Sequence, residues 1–248
     1  MHPTPGGCTP PKIGRFKPFE LLGARACVET AIFIGALIAA DLAHGDELRC
    51  PDSNVVVHSA DRGDTDAACE AAGEALGFLA AQGLDTTGAV EVHLVNKLPD
   101  MAGLSAFGCY DHPDRRVYML VFSECLKQGT WSELPLDRTL FKSLLTHEVA
   151  HAVAAANFSV PKPGMLAHEY LAYVTMLATM PLRQRERMLG RFPGQGFDSP
   201  DQMSATFYLI DPFRFGAEAY RHFLKPGNGK AFIKEVLSGR VLIGEGGP

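Results

Sequence analysis

The segment Thr146-His-Glu-Val-Ala-His-Ala152 constrains this chain more than any other stretch of it. It lies within residues 136–158, where Leu140, Leu144, Leu145, Val149, Ala152 and Val153 recur at helical spacing behind a capping candidate, Asp137. At about 3.6 residues per turn, His147 and His151 project from one helix face, one turn apart. Two imidazoles placed that way can close on a single tetrahedral Zn²⁺ ion. Glu148 stands ~100° around the helix from His147, on the flank of that face. From there it can reach a water on the metal without ligating the metal itself.

A zinc site used for catalysis needs a third protein ligand and an open fourth position. Pro161 and Pro163-Gly164 break the first helix, and residues 165–180 predict a second, strongly apolar helix stopped by Pro181. Its ionisable side chains are His168, Glu169 and two tyrosines. Glu169 follows His151 by 18 positions, so two helices joined by a short turn can bring them together. A carboxylate in so apolar a helix needs a partner, because an unpaired buried charge is costly. His168 is the rival: adjacent helical residues point ~100° apart, so one of the two faces the metal and the other can orient a ligand from behind.

The pattern resembles the zincin peptidases, and among them the gluzincins, which follow HExxH with a glutamate in an N-E-x-x-A-like helix. His168-Glu-Tyr-Leu-Ala172 is similar to that second motif, with His where Asn is common. The likeness covers residues 137–180; the remainder looks like small bacterial zincin-like domains. It implies one Zn²⁺ ion held by His147, His151 and Glu169, with Glu148 as general base in a peptidase-type hydrolysis. It also implies a sheet ahead of the motif helix whose edge strand pairs with an extended peptide or protein substrate. Tyr173, one turn from Glu169, is the first candidate to steady a developing oxyanion, with Tyr220 and His222 as alternatives.

The rest of the chain predicts an α+β fold, a small N-terminal mixed sheet with one helix followed by a helical half. Strands are expected at 54–59 and 89–95, and a hairpin from 103–110 and 116–122 around His112-Pro113-Asp114. A helix is expected at 64–82, capped by Asp64. A charged helical piece at 182–189 leads into a Gly/Pro loop at 191–199, and helices at 216–224 and 230–237 close the chain. Phe207, Tyr208, Phe213, Phe215 and Phe223 read as core aromatics.

Residues 1–45 differ in character. Lys12, Arg15, Lys17 and Arg25 precede an apolar run of ten residues, 31–40, too short to span a bilayer. This predicts a signal peptide or leader, a single domain over 46–248, and a periplasmic or secreted protein with no stable membrane span after leader removal. Outside the leader, Cys50, Cys69, Cys109 and Cys125 suit an oxidising compartment; the expected pairs, each closing a short loop, are Cys50–Cys69 and Cys109–Cys125. With 46% hydrophobic residues a core can form without help from the metal. A net charge of −5 and no basic block exclude nucleic acid as an expected partner. The sequence sets no oligomeric state.

Overall fold

The computed structural model describes residues 46–100 and 106–242. The expected leader at 1–45, with Cys8 and Cys27, lies outside the described residues, as do positions 103–105 of the expected hairpin. The architecture is α+β, with a mixed sheet in the N-terminal part and helices after it.

Five strands form the main sheet: β1 (Asp46–Arg49), β2 (Val55–Ser59), β3 (Val90–Val95), β4 (Gly108–Asp111) and β5 (Arg116–Leu120), in the order β1-β2-β3-β5-β4. The central strands β2, β3 and β5 run parallel, and the outer strands β1 and β4 are antiparallel to their neighbours. β2 and β3 alternate buried and half-buried residues, as strands covered on one face do. Val55, Val57, Val90, Val92, Val117 and Met119 form the buried face. The other face carries His58, Glu91, His93, Arg116 and Tyr118, all half-buried.

Between β2 and β3 runs α1 (Arg62–Gln82), which packs on β2 through Ala68, Ala71, Ala72 and Leu79. Its cap is Asp61, whose carboxylate accepts from the Asp64 amide at 2.8 Å, and not Asp64 as the sequence suggested. Asp64 is buried instead; it accepts from the Phe122 amide at 2.8 Å and pairs with Arg138. That pair ties α1 to the start of α2 (Phe122–Gln128) and of α3 (Arg138–Asn157). A small ribbon, β6 (Thr130–Trp131) with β7 (Leu134–Pro135), connects α2 to α3.

Asp137 caps α3, accepting from the Leu140 amide at 2.7 Å. α3 packs against α1, β4 and β5 on one side and α4 (Met165–Thr179) on the other. Residues 170–177 of α4 are all buried, which explains why the helix is apolar all round. After it come α5 (Leu182–Arg191), a 3₁₀ turn (Pro200–Gln202), α6 (Ala205–Ile210), α7 (Pro212–Leu224) and α8 (Gly229–Leu237). α7 lies close along α4 because Gly216 has no side chain; a Cβ there would run into the Tyr173 ring.

Cys50 and Cys69 form a disulfide that fastens the segment before β2 to α1. The second expected pair does not form: Cys109 and Cys125 are free thiols. Their closeness in sequence misleads, because β5 carries the chain away between them. Cys109 sits in the edge strand β4, while Cys125 is buried in α2 with its thiol on the Leu120 carbonyl at 3.4 Å. Among the described residues no helix is long and apolar enough to cross a membrane.

Candidate metal centre

Local folding brings the first two donors together. His147 and His151, on successive turns of α3, turn their Nε2 atoms to within 3.1 Å of each other, with the rings edge to face. Packing of α4 on α3 supplies the third donor. One Glu169 oxygen lies 3.7 Å from His147 Nε2 and the other lies 3.7 Å from His151 Nε2. Donors about 2.0–2.2 Å from a tetrahedral ion stand ~3.3–3.5 Å apart, so this trio fits a zinc-sized divalent cation. The donor chemistry agrees, two imidazoles and one carboxylate.

The electrostatics give the same picture. Burial lowers His147 to about 3 and holds His151 far below the ordinary range, so both imidazoles are neutral and keep lone pairs free. Burial raises Glu169 to about 7, partly opposed by a hydrogen bond with the Tyr208 hydroxyl. A buried acid facing two neutral imidazoles lacks a positive counter-charge, and a divalent cation answers that lack. One detail departs from the usual pattern of metal-bound histidines: His147 Nδ1 has no partner among the described residues.

Glu148 is half-buried beside the trio, raised to about 8 by desolvation and then by the Glu169 charge. It lies under the edge strand β4. A Cβ built on Gly108 would stand 2.7 Å from Glu148 Cγ, 2.9 Å from Met119 Sδ and 2.9 Å from the Tyr118 carbonyl oxygen. Gly108 is therefore a close-approach glycine that lets the strand pass over the carboxylate. All four residues line one cleft of about 920 Å³, bounded by β4, α3, α4 and the aromatic rim of Trp131, Tyr208 and Phe213.

Residues 55–245 match the model of DUF6639, described as a family of unknown function. The chain belongs to the DUF6639 family. No curated protein and no solved structure matches it. The DUF6639 match spans every residue named in the cleft.

Within this DUF6639 chain, the rival ligand His168 lies to one side. Its ring is 6.0 Å from that of His151 and packs against Phe158 and His112, each at 4.6 Å. Tyr173 is brought to the cleft, edge-on to His147 with ring centroids 4.7 Å apart. Tyr220 and His222 are not among the cleft-lining residues. Tyr220 stacks on Phe223, and His222 Nδ1 meets the Tyr170 hydroxyl at 2.9 Å. Two cleft residues carried no signal in the sequence. Tyr208 read as one more core aromatic, and His112 as a turn residue without a role.

Two predictions arise here. Gly108→Ala forces Glu148, Met119 and the Tyr118 carbonyl to give way, an overpacking cost of about 1–3 kcal/mol in thermal stability. It should also lower any Glu148-dependent activity at unchanged zinc content, read by metal analysis beside a rate assay. The second concerns acid. Burial holds His222 at about 4, against an ordinary 6.5. Between those values the unfolded chain binds the extra proton, so this part of the stability is complete above pH 6.5 and is lost as pH falls towards 4. His147 and His168 act in the same sense. In denaturant titrations over that range, His222→Gln should show a shallower acid loss; an unchanged slope would refute the assignment.

Proposed function

We propose that this protein is a zinc-dependent hydrolase, of the peptidase type and zincin-like in its site, acting in the periplasm or outside the cell. One observation carries the reading. His147, His151 and Glu169 converge from two helices at ion-binding separations, with Glu148 beside them at the floor of an open cleft. The Cys50–Cys69 disulfide supports an oxidising compartment.

A zinc ion on the trio would supply Lewis acidity and a water acidic enough to attack at neutral pH. The chain's own groups do the rest. Glu148, held out of bulk solvent, takes the proton of the attacking water and delivers it to the leaving amine. Tyr208 and Tyr173 have hydroxyls at the cleft, kept protonated by burial, and are the donors available to a developing oxyanion. Among the described residues β4 pairs with β5 alone, so its outer edge can receive an extended peptide by strand addition. The cleft's size is at the upper end of the ordinary range for ligand pockets, and its walls include the aromatic rings of Phe107, Tyr110, Trp131, Tyr173, Tyr208 and Phe213.

The test is hydrolysis of a mixed peptide library by the purified chain, before and after removal of metal by a chelator. Cleavage should vanish with the metal and return with one equivalent of Zn²⁺. Folded protein that takes up zinc and cleaves nothing would shift the reading to a zinc-binding interaction module. Cleavage indifferent to chelator would overturn the metal mechanism.

A further inference from the structure

A second cluster lies on the half-buried face of the main sheet, opposite the face that packs into the core. The strand register lines up Glu47, His58, His93, Tyr118 and Cys109 as direct neighbours across all five strands. The adjacent row runs Arg49, Val56, Glu91, Arg116 and Asp111. Side chains two apart on a strand share a face, so Glu91 sits on the same side as His93. The His58 and His93 rings stack at 4.3 Å between centroids and 8° between planes. His93 Nε2 lies 3.5 Å from Glu91 Oε2 and has no hydrogen-bond partner among the described residues.

We propose that His58, Glu91 and His93 form a second divalent transition-metal site, separate from the cleft. One donor atom from each lies within 4.8 Å of the other two, and three donors leave at least one position open. Two imidazole nitrogens and a carboxylate oxygen select zinc, copper or nickel over calcium or magnesium, whose sites are built from oxygen.

Several features favour the site. Two imidazoles in van der Waals contact cannot both be charged without repulsion. Arg116 donates to Glu91 Oε2 at 3.0 Å and orients that carboxylate. A guanidinium near a cation site is a cost, and Asp114, 3.7 Å from Arg116, offsets part of it. Glu47, opposite His58 in the register, adds a further negative charge at the sheet surface. Each lone pair lies in its ring plane, so the two nearly parallel rings must rotate out of their stack before both nitrogens can aim at one ion.

The proposal does not depend on the hydrolase reading, and the experiment keeps the two apart. Metal-stripped protein is titrated with Zn²⁺ by calorimetry, and bound metal is counted after gel filtration. Wild type should take two equivalents, and His58→Ala/His93→Ala should take one. The same double variant should leave peptide hydrolysis, where present, unchanged. His147→Ala/His151→Ala should also take one equivalent, at the sheet. Should that variant fail to fold, the imidazole resonances of His58 and His93 in the wild type serve instead, and both should shift as the second equivalent is added. A single equivalent in wild type lost only with His147 and His151, unmoved His58 and His93 resonances, or a second equivalent that survives His58→Ala/His93→Ala would overturn it.

Discussion

Glu148→Gln should slow hydrolysis by ~10²–10⁴-fold while zinc content and thermal unfolding stay close to wild type. Gln keeps the shape of the side chain, so the close contact beneath Gly108 is preserved. It removes only the capacity to take and return a proton. The carboxyl is absent from the His147–His151–Glu169 trio, so metal affinity has no reason to fall. It also carries a burial cost in its ionised form, shown by its rise to about 8, and the neutral amide avoids that cost. The loss should appear in kcat with KM little changed, as expected for a group that acts on the transition state and not on substrate binding. If zinc leaves together with activity, Glu148 is a ligand or a structural prop, and the role of base must go elsewhere. Rate and metal content measured on one preparation decide this.

How much of this site the sequence disclosed follows from how each residue is positioned. The relation of His147, Glu148 and His151 is set by helix geometry alone, so it was legible once the helix was recognised. Glu169 required one further step, that α4 folds back along α3, and the Pro/Gly break supplied it. The α+β order and the Asp137 cap were readable for the same reason, since strand alternation and capping are local. What sequence distance could not give is which aromatic side chains reach the cleft. Tyr208 arrives on a six-residue helix whose placement depends on α7, and nothing in Ala205–Ile210 separates a cleft tyrosine from a core one. Tyr220 and His222 looked as plausible as Tyr173, yet the face of α7 that carries them packs inward, away from the cleft. Asp64 shows a related limit. Both Asp61 and Asp64 can cap a helix, and the choice falls to Asp61 because Asp64 is claimed by Arg138 and the Phe122 amide, far along the chain. The same reasoning covers Cys109 and Cys125, where spacing said nothing about direction. The row of His58 and His93 was invisible for its own reason. A parallel pair of strands sets them side by side, and only the register reveals it.

The second large effect is expected at Glu169, and it has two opposite signs. With metal present, Glu169→Gln should weaken zinc binding by ~10²–10⁴-fold, since one ligand of three or four carries several kcal/mol of a total of ~10–16 kcal/mol at protein zinc sites. The metal-bound protein should then lose the thermal stabilisation that bound zinc provides by mass action. Without metal the result reverses. Glu169 is raised to about 7 by burial, so the folded metal-free chain resists its ionised form. Below that value the folded carboxyl keeps its proton and costs little. As pH rises past the ordinary carboxyl range, the unfolded chain gives up that proton more readily, and stability falls until the folded group ionises as well. The amide cannot ionise, so metal-free Glu169→Gln should match or exceed wild type in melting temperature at pH 7–8. The Tyr208 hydroxyl can still donate to the amide oxygen and keep the local packing. His168→Ala is the control. Its ring lies beside the trio without joining it, so zinc affinity should fall no more than ~10–100-fold, the range for groups behind a ligand. Melting curves of wild type and both variants, each with and without Zn²⁺, read all of this together. A wild type that melts at the same temperature with and without zinc would overturn the metal site itself, and a His168→Ala loss larger than that of Glu169→Gln would place the third donor on the neighbouring histidine.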